Sequence, residues 1–317
     1  MPTKIFIDGE VGTTGLQIKE RLAKRTDLDF ISLGEEKRKD AGARREALNE
    51  ADIAILCLPD DAAREAVSLI DNDRTRVIDA STAHRVAPGW SYGFPEMTPS
   101  QKQEISGAMR VTNPGCYPTG MIALVRPLVD AGLVPSDWPL TVNAVSGYSG
   151  GGKGMIAEFE DTTASNYTRD NYRTYALTLA HKHVPEMQSY GRLAHPPLFA
   201  PAVGRYAQGM IVDVPLQLWA IKGVPSPATL HEVLAKRYEG RQFVSVASAE
   251  ETESMKGLDP EGLNGTNRLK LFVFGNEKTQ QARLVALLDN LGKGASGQAV
   301  QCLNIMIGAE EGLGVDL

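Results

Sequence analysis

The first half of the chain alternates short apolar runs with amphipathic segments. Apolar residues at 5–7 are followed by apolar positions 16, 18 and 22, which have helical spacing. Residues 51–70 repeat this order, with an apolar run, a Pro-Asp turn and an amphipathic helix. The predicted strands are IFI (5–7), DFISLG (29–34), ADIAILCL (51–58) and VIDAS (77–81). Strands alternating with helices predict a Rossmann-type, doubly wound parallel sheet with ligands at the strands' carboxyl ends.

After residue 116 the pattern changes to longer segments with partial two-residue alternation. Apolar side chains recur at 210, 212, 214, 216 and 218, as in a strand buried on one face. The predicted strands are LTVNAVSG (140–147), GMIVDVPLQLWAI (209–221), FVSVAS (243–248), RLKLFVFG (268–275) and QARLVALLDN (281–290). A helix is predicted at 226–240, with Ser226 as its cap and Pro227 in its first turn. This half is therefore predicted to be an α+β domain with a mainly antiparallel sheet.

Composition narrows the class of protein. A chain of 317 residues with 42% hydrophobic and 23% charged residues is long enough for two globular domains. A net charge of -6 argues against nucleic-acid binding, which needs a basic surface. We expect no membrane span and no signal peptide. Three cysteines without metal or disulfide spacing favour a reducing, cytoplasmic location.

A glycine turn joins the first strand to the first helix. Its spacing is G-x-x-G-x-x-G, with Gly9, Gly12 and Gly15, and not the more common dinucleotide pattern G-x-G-x-x-G. Such a turn allows close approach of a ligand, and the amides of the following helix attract a phosphate. The pattern alone also fits an ordinary tight turn, but its position after the first strand favours a cofactor site.

The residues after the second strand bear on the choice of cofactor. The strand has no acidic residue at its end to hold a ribose 2′-hydroxyl, and Lys37, Arg38 and Lys39 follow shortly afterwards. Cations there suit the 2′-phosphate of NADP, although a solvated charged loop is an equal alternative. We expect NADP.

The three cysteines differ in their surroundings. Cys57 lies in an apolar strand and Cys302 in the predicted last helix (297–314), where cysteine is usually a buried apolar residue. Cys116 follows Pro114-Gly115 and opens a helix, so the helix dipole favours its thiolate. The position of Cys116 alone does not decide between a structural and a catalytic role, and both are equally open.

A thiolate nucleophile needs a proton-transfer partner. His181 and His183 lie two residues apart, so in an extended strand both would face one site. His195 and His231 are interpreted as surface residues. The segment SGYSGGGKG (146–154) combines exposed amides with Lys153, which suits an anionic or acyl group and equally suits a hinge.

Five motifs together resemble the N-acetyl-γ-glutamyl-phosphate reductases, in a compact, short-chain form. They are GEVGTTG (9–15), NPGCYPTG (113–120), SGYSGGGKG (146–154), HKHVPE (181–186) and DNLGKGASGQAVQ (289–301). The resemblance covers the chain from first strand to last helix. It extends in architecture to aspartate-semialdehyde dehydrogenase and glyceraldehyde-3-phosphate dehydrogenase. It implies a discontinuous dinucleotide-binding domain (1–116 and 293–317), a catalytic and oligomerisation domain (117–292), and a homodimer or homotetramer.

The resemblance also implies site residues. By this resemblance, Cys116 is the nucleophile and His183 is the general acid/base. The implied cofactor contacts are Gly9, Gly12, Thr13, Thr14, Gly15, Ser149, Gly150, Asn290, Lys293, Gly294 and Gln298. The implied substrate contacts are Arg85, Asn113, Ser149, Lys153, His181 and Glu186. Two segments depart from the commoner form of the family: Thr-Ala-His precedes Arg85 in place of Ala-Asp-Phe, and Lys153 replaces an arginine. No metal is implied.

The implied activity is the NADPH-dependent reduction of N-acetyl-γ-glutamyl phosphate to the semialdehyde in arginine biosynthesis. Cys116 would form a thioester, hydride would reduce it, and His183 would supply the proton that releases the thiolate. The alternatives are an aspartate-semialdehyde dehydrogenase-like enzyme and an NADP-binding protein without catalysis. A cofactor-free cysteine hydrolase would leave the glycine turn unexplained.

Overall fold

The computed structural model describes residues 2–316. The chain forms two compact units. One contains the chain up to Pro114 together with Ala295–Asp316, and the other contains Gly115–Gly294. The boundaries expected from sequence, 116/117 and 292/293, lie within two residues of these divisions. The assignment of nucleotide binding to one unit and catalysis to the other stays a prediction.

The first unit contains a parallel sheet with helices in its connections. Its elements up to the unit boundary are β1 (Thr3–Asp8), α1 (Thr13–Leu22), β2 (Leu28–Ile31), α2 (Ala41–Glu50), β3 (Ile53–Leu56), α3 (Asp60–Ser68), β4 (Arg76–Asp79), β5 (Ser91–Tyr92), α4 (Gln101–Gly107) and β6 (Arg110–Thr112). The strand order is β2-β1-β3-β4-β6-β5, and every pairing is parallel. Strands β2 and β3 lie on opposite sides of β1. In sheets of this kind, ligands bind in the crevice at the carboxyl ends of the strands, where the strand order changes direction.

Helix α2 is one of the elements of this unit that apolar periodicity does not reveal. Its sequence AGARREALNE offers only small or charged residues besides Leu48. It forms because the Asp40 carboxylate accepts a hydrogen bond from the Ala43 amide at 2.7 Å, capping the helix. It is anchored because Arg44, which is buried, forms an ion pair with buried Asp8 at 3.0 Å.

The second unit is built on one larger sheet. Its elements are α5 (Cys116–Asp130), β7 (Thr141–Gly147), α6 (Gly152–Glu160), β8 (Tyr172–Thr174), α7 (Val184–Gly191), β9 (Leu198–Gly204), β10 (Met210–Gln217), α8 (Pro227–Tyr238), β11 (Val244–Val246), α9 (Ala249–Ser254), β12 (Leu269–Asn276) and β13 (Gln281–Leu288). The strand order is β11-β12-β13-β10-β7-β9-β8. Four of its pairings are antiparallel, whereas β11–β12 and β7–β9 are parallel. The predicted fold class is confirmed, with a mixed sheet.

Helices α5 and α8 pack against one face of this sheet. Gly120 of α5 lies so close to β10 and β13 that a Cβ there would be 2.9 Å from a methyl of Val212. The buried Tyr238 hydroxyl of α8 donates to the Ala123 carbonyl at 2.9 Å. The start of α5, where Cys116 lies, is therefore held firmly on the sheet.

The last helix, α10 (Gly297–Ile307), belongs to the first unit. It packs on α1, α4 and β4, and the Arg25 guanidinium donates to Asn304 at 2.8 Å. A short π-helical turn, Gly292–Ser296, precedes it. Within residues 2–316, no helix has the length and apolar character needed to cross a membrane.

Candidate active site

Cys116 is the first residue of α5 and is partly exposed. Gly115 precedes it in extended conformation (φ −73°, ψ 151°), and no side chain caps the helix. The thiol therefore lies where unpaired helix amides stabilise negative charge. This geometry favours a thiolate at position 116.

The two histidines approach one another differently from the prediction. They were expected to share one face of an extended strand, but they lie in a turn, and His183 is the N-cap residue of α7. The strand expectation is wrong because Pro185, near the helix start, suits the first turn of a helix. The rings still meet, with centroids 4.7 Å apart, and His181 Nδ1 accepts from the His183 amide at 3.1 Å.

Glu186 connects the histidine helix to the cysteine helix. Its side chain is buried, and Oε1 accepts a hydrogen bond from the Gly115 amide at 2.7 Å. His183 and Cys116 are thereby held at helix starts that are joined by one bond. Glu186, predicted as a substrate contact, makes a structural contact with the nucleophile's own turn.

Two tyrosines next to this pair were not singled out from the sequence. The Tyr175 hydroxyl donates to the Tyr117 hydroxyl at 3.0 Å, and the Tyr117 ring lies 5.8 Å from the His183 ring. Burial first, and then the charges of Tyr175 and Cys116, hold the pKa of Tyr117 well above its usual value. Burial raises the pKa of Tyr175 to about 12, and the charge of Cys116 adds to this. Both phenols remain protonated near the sulfur at neutral pH.

The glycine-rich segment forms a short 3-10 turn, Tyr148–Gly151, that leads into α6. Ser149 is buried, and its amide donates to the Ala207 carbonyl at 2.9 Å. Gly150 lies near Asn290, because a Cβ there would be 3.4 Å from the Asn290 amide nitrogen. Lys153 is exposed in the first turn of α6. The segment is therefore a turn followed by a helix start.

The C-terminal motif places Gly294 directly against Cys116. A Cβ on Gly294 would lie 2.7 Å from the Cβ of Cys116, so only glycine fits. Its neighbour Lys293 is fully buried, with Nζ 5.5 Å from the centroid of Phe243. This cation–π contact packs the lysine side chain against the aromatic ring. The predicted cofactor contact of Lys293 stays a prediction.

In the first unit, Arg85 and Asn113 lie together. Arg85 Nε donates to the Asn113 carbonyl at 3.1 Å, and Asn113 Nδ2 donates to the Ala295 carbonyl at 2.9 Å. Asn113 therefore has one of its two Nδ2 hydrogens engaged within the first unit. Its buried Oδ1 has no donor among residues 2–316. It is suited to accept an N–H group of a ligand.

His84, the residue that departs from the family pattern, has a defined environment. Its Nδ1 lies 2.6 Å from the fully buried Asp79 carboxylate, and its ring stacks on Trp90 at 4.2 Å. Asp79 also accepts from the Ser81 amide and hydroxyl. These bonds shape the turn that carries Arg85.

The glycine turn fits a dinucleotide. Gly9 has φ +91°, and a Cβ there would lie 2.3 Å from the Cys57 carbonyl oxygen. Gly12 is the N-cap of α1 without side-chain capping. The first residues of α1, whose amides are free of helical partners by geometry, are Thr13, Thr14 and Gly15. The turn thus presents amides to an anion.

A cavity of about 210 Å³ lies beside this turn. It is lined by Gly9 and by the carboxyl ends of β1 and β2, with Arg38 and Lys39 at its wall. Two acidic residues also line it: Asp8 is paired with Arg44 at 3.0 Å, and Glu10 is paired with Lys19 at 2.6 Å. Arg38 and Lys39 are the cations of the wall that suit a 2′-phosphate. Gln298, also predicted as a cofactor contact, is buried in the first turn of α10.

The remaining cysteines and histidines lie in other surroundings. Cys302 is fully buried, and Sγ donates to the Gly93 carbonyl at 3.3 Å. Cys57 is partly exposed as a residue, yet desolvation, with the charges of Asp79 and Asp8, raises the pKa of its thiol to about 12. His195 is exposed, and His231 Nε2 lies 2.8 Å from the Ala247 carbonyl. No cluster within residues 2–316 could hold a metal ion.

Two family models match the chain. The semialdehyde dehydrogenase NAD-binding domain matches residues 18–105, and the semialdehyde dehydrogenase dimerisation domain matches residues 116–290. Solved structures agree in fold. Aspartate semialdehyde dehydrogenase II of Vibrio cholerae, complexed with ASA, has a TM-score of 0.72 at 16% identity over 97% of this chain and 98% of that one. Aspartate semialdehyde dehydrogenase of Candida albicans with NADP has a TM-score of 0.64 at 12% identity over 97% and 99%. Fold and site thus define a semialdehyde dehydrogenase.

Curated relatives narrow the class. N-acetyl-γ-glutamyl-phosphate reductase of Brucella suis is 57% identical over 97% of this chain and 100% of its own length. That of Brucella anthropi is 57% identical over 97% and 99%. The chain belongs to the N-acetyl-γ-glutamyl-phosphate reductase family.

Proposed function

We propose that this protein reduces N-acetyl-γ-glutamyl phosphate to N-acetylglutamate 5-semialdehyde and phosphate with NADPH, in arginine biosynthesis. The observation that carries the proposal is the pairing of two helix starts, with Cys116 on one, His183 on the other and Glu186 bonded between them. An acyl phosphate needs a nucleophile and a proton donor placed in this way.

Residues of the first unit are suited to bind NADP. The Gly9–Gly15 turn and the start of α1 would hold the pyrophosphate, and Arg38 and Lys39 would hold the 2′-phosphate of NADP. Asn113 Oδ1, a buried acceptor without a donor, suits an amide N–H such as that of a carboxamide or acetamido group. NADPH, when bound, supplies the hydride that reduces the acyl group.

Cys116 carries the acyl group. Its thiolate attacks the acyl carbon, a C–S bond forms, and the bond from that carbon to the phosphate oxygen breaks, so that inorganic phosphate leaves with the electron pair. The backbone amide of Cys116, at its helix start, is placed to stabilise the oxyanion. The product of this step is a thioester on Cys116.

His183 completes the reaction. Reduction of the thioester carbonyl places an alkoxide on the carbon bonded to sulfur. His183 donates a proton to this oxygen, which gives the thiohemiacetal; the C–S bond then breaks, the hydroxyl proton returns to the imidazole, the aldehyde leaves and Cys116 is regenerated as the thiolate. In the reverse direction the same imidazole removes the proton from the thiohemiacetal hydroxyl.

The test is phosphate-dependent formation of NADPH from N-acetylglutamate 5-semialdehyde and NADP. Aspartate semialdehyde serves as the parallel substrate. Preference for the acetylated substrate, with loss of turnover but retained NADP binding in Cys116→Ser, supports the proposal. Preference for aspartate semialdehyde would favour that dehydrogenase activity. NADP binding without turnover would favour a binding protein.

The second unit also supports self-association. The sheet face opposite α5 carries half-buried apolar residues, including Ile211 and Phe274, beside the Asp213–Arg283 ion pair at 2.8 Å. The matching family model is a dimerisation domain. We infer a homodimer or homotetramer built through this face, in a reducing cytoplasm suited to three free cysteines. Sedimentation analysis would measure the assembly.

A further inference from the structure

The turn that follows β4 carries Arg85, the predicted substrate contact. Asp79 is the last residue of β4 and is fully buried, and His84, next to Arg85, has Nδ1 2.6 Å from the Asp79 carboxylate. We propose that His84 is a positioning residue, which holds Arg85 in place by tying its turn to Asp79. The inference deepens the proposed function and rests on it for its kinetic readout.

The bond between His84 and Asp79 has a defined direction. A carboxylate only accepts hydrogen bonds, so His84 Nδ1 is the donor and carries the proton. At 2.6 Å this is a short, charge-assisted bond. It sets the orientation of the imidazole, and the ring also stacks on Trp90, with a centroid distance of 4.2 Å and an angle of 11° between the planes. The imidazole is therefore held both at its edge and at its face.

Asp79 is a fixed point for this turn. Its carboxylate also accepts from the Ser81 amide at 2.9 Å and from the Ser81 hydroxyl at 2.7 Å. Its backbone carbonyl accepts from the amide of Asn113, just after the neighbouring strand β6, at 2.7 Å. A fully buried carboxylate with several donors is held rigidly. The chain leaves Asp79 and returns to it at His84, so the turn is closed at both ends.

The side chain of Arg85 is anchored to the surroundings of Asp79. It is buried, Nε donates to the Asn113 carbonyl at 3.1 Å, and Nη2 donates to the Ala80 carbonyl at 3.3 Å. Ala80 follows Asp79 in the chain, and the Asn113 amide is bonded to the Asp79 carbonyl. Both acceptors are thus fixed relative to Asp79, and His84 ties the backbone that carries the guanidinium to the same residue.

Loss of the Nδ1 donor would act on both ends of this arrangement. The buried Asp79 carboxylate would lose one of its hydrogen bonds, which is costly for a desolvated charge. The last residues of the turn would lose their tie to β4, and Arg85 would move with them. Phenylalanine, which stands at position 84 in the commoner form of the family, offers no such donor. The tie is therefore a feature of this chain's own sequence.

The experiment compares His84→Asn with His84→Gln. The asparagine amide nitrogen takes about the place of Nδ1 and keeps a donor for Asp79, whereas the glutamine amide nitrogen takes about the place of Nε2. In the phosphate-dependent assay we expect His84→Gln to raise the KM of the semialdehyde or of phosphate, whichever Arg85 contacts, roughly tenfold. His84→Asn should restore most of this loss, and the KM of NADP should stay unchanged in both variants. His195→Gln, at an exposed position, is the control.

Coupling to Arg85 provides the second test. In an Arg85→Ala background the effect of His84→Gln on KM should disappear, because the two residues act as one unit. A measurement without turnover is solvent exchange of the Arg85 Nε–H proton, followed by heteronuclear NMR and assigned with Arg85→Lys. This proton should exchange roughly tenfold faster in His84→Gln, where the arginine is released, and near the wild-type rate in His84→Asn.

The outcomes separate the alternatives. Retained KM in His84→Gln with loss in His84→Asn would mean that Nε2 binds a ligand directly, and would overturn the proposal. A lower Tm with unchanged KM and unchanged exchange would make the His84 bond purely structural, and independent effects in the Arg85→Ala background would also overturn the proposal. Faster exchange in His84→Gln alone, in an enzyme without turnover, would support the role of His84 and contradict the proposed function instead.

Discussion

The carboxylate of Glu186 accepts a hydrogen bond from the amide of Gly115 at 2.7 Å. The amide belongs to the residue before the nucleophile, and the carboxylate lies in the first turn of the helix that His183 caps. Because both partners are buried, this hydrogen bond fixes the start of α5, with Cys116, relative to the start of α7, with His183.

Glu186→Ala should unpair the Gly115 amide, whereas Glu186→Gln keeps an acceptor oxygen. We expect the alanine variant to lose about 1–3 kcal/mol of unfolding free energy, the cost of a buried unsatisfied donor, and roughly 10²-fold in kcat. The glutamine variant should retain most of both. Urea unfolding and steady-state kinetics measure these effects. Equal losses in the two variants would show that the charge matters and the bond does not.

Iodoacetamide should alkylate Cys116 before the other two cysteines. Cys302 is fully buried, and Cys57 has a pKa raised to about 12. Because the thiolate is the reactive form, Cys57 should stay unreactive until the pH approaches that raised pKa. Peptide mass spectrometry of samples labelled at increasing pH follows each site. Early labelling of Cys57 at neutral pH would contradict this expectation.

His183→Asn should reduce kcat by about 10²–10⁴-fold, the usual contribution of a general acid or base. His181→Asn should cost less, because His181 Nδ1 accepts from the His183 backbone amide and orients that residue. His195→Asn, at an exposed position, is the control. The opposite order of losses would assign proton transfer to His181.

Gly294→Ala should inactivate the enzyme, because the added Cβ would lie 2.7 Å from the Cβ of Cys116. We expect roughly 10²-fold loss of kcat from displacement of the nucleophile. Gly107→Ala, at the end of α4, is the matched control, since a Cβ there meets no atom within 4 Å. Kinetics with both purified variants, and their Tm values, provide the measurement. Normal kcat in Gly294→Ala would mean that the turn can move away from Cys116.

Arg38→Ala and Lys39→Ala should each weaken NADP binding roughly tenfold, about the value of one charge-assisted hydrogen bond, and should affect NAD little. Both residues line the cavity beside the glycine turn, whereas Lys37 does not. Lys37→Ala therefore serves as the control. Titration of each variant with NADP and with NAD gives the ratio of the two dissociation constants. Equal weakening of both cofactors would place these cations away from the 2′-phosphate.

Several parts of the fold follow from local sequence. The glycine turn, strands β10, β12 and β13 and helix α8 have apolar periodicity or end signals within one window. Helix α2 lacks that signal because its burial depends on the Arg44–Asp8 ion pair. Strand β9 lacks it because Pro201 interrupts its pattern, although β7 and β8 flank it on both sides.

The sequence by itself indicated the candidate chemistry: a cysteine at a helix start, a histidine pair and a glycine turn suited to a phosphate, each encoded in a few consecutive residues. The tertiary structure decided how these groups are held. Gly115 meets Glu186 across 71 residues, and Ser149 meets Asn290 across 141. Lys293, a cation by sequence, is fully buried, with Nζ 5.5 Å from the centroid of Phe243. Such contacts join residues that are far apart in the chain, so no local pattern encodes them, and only the packed sheet brings them together.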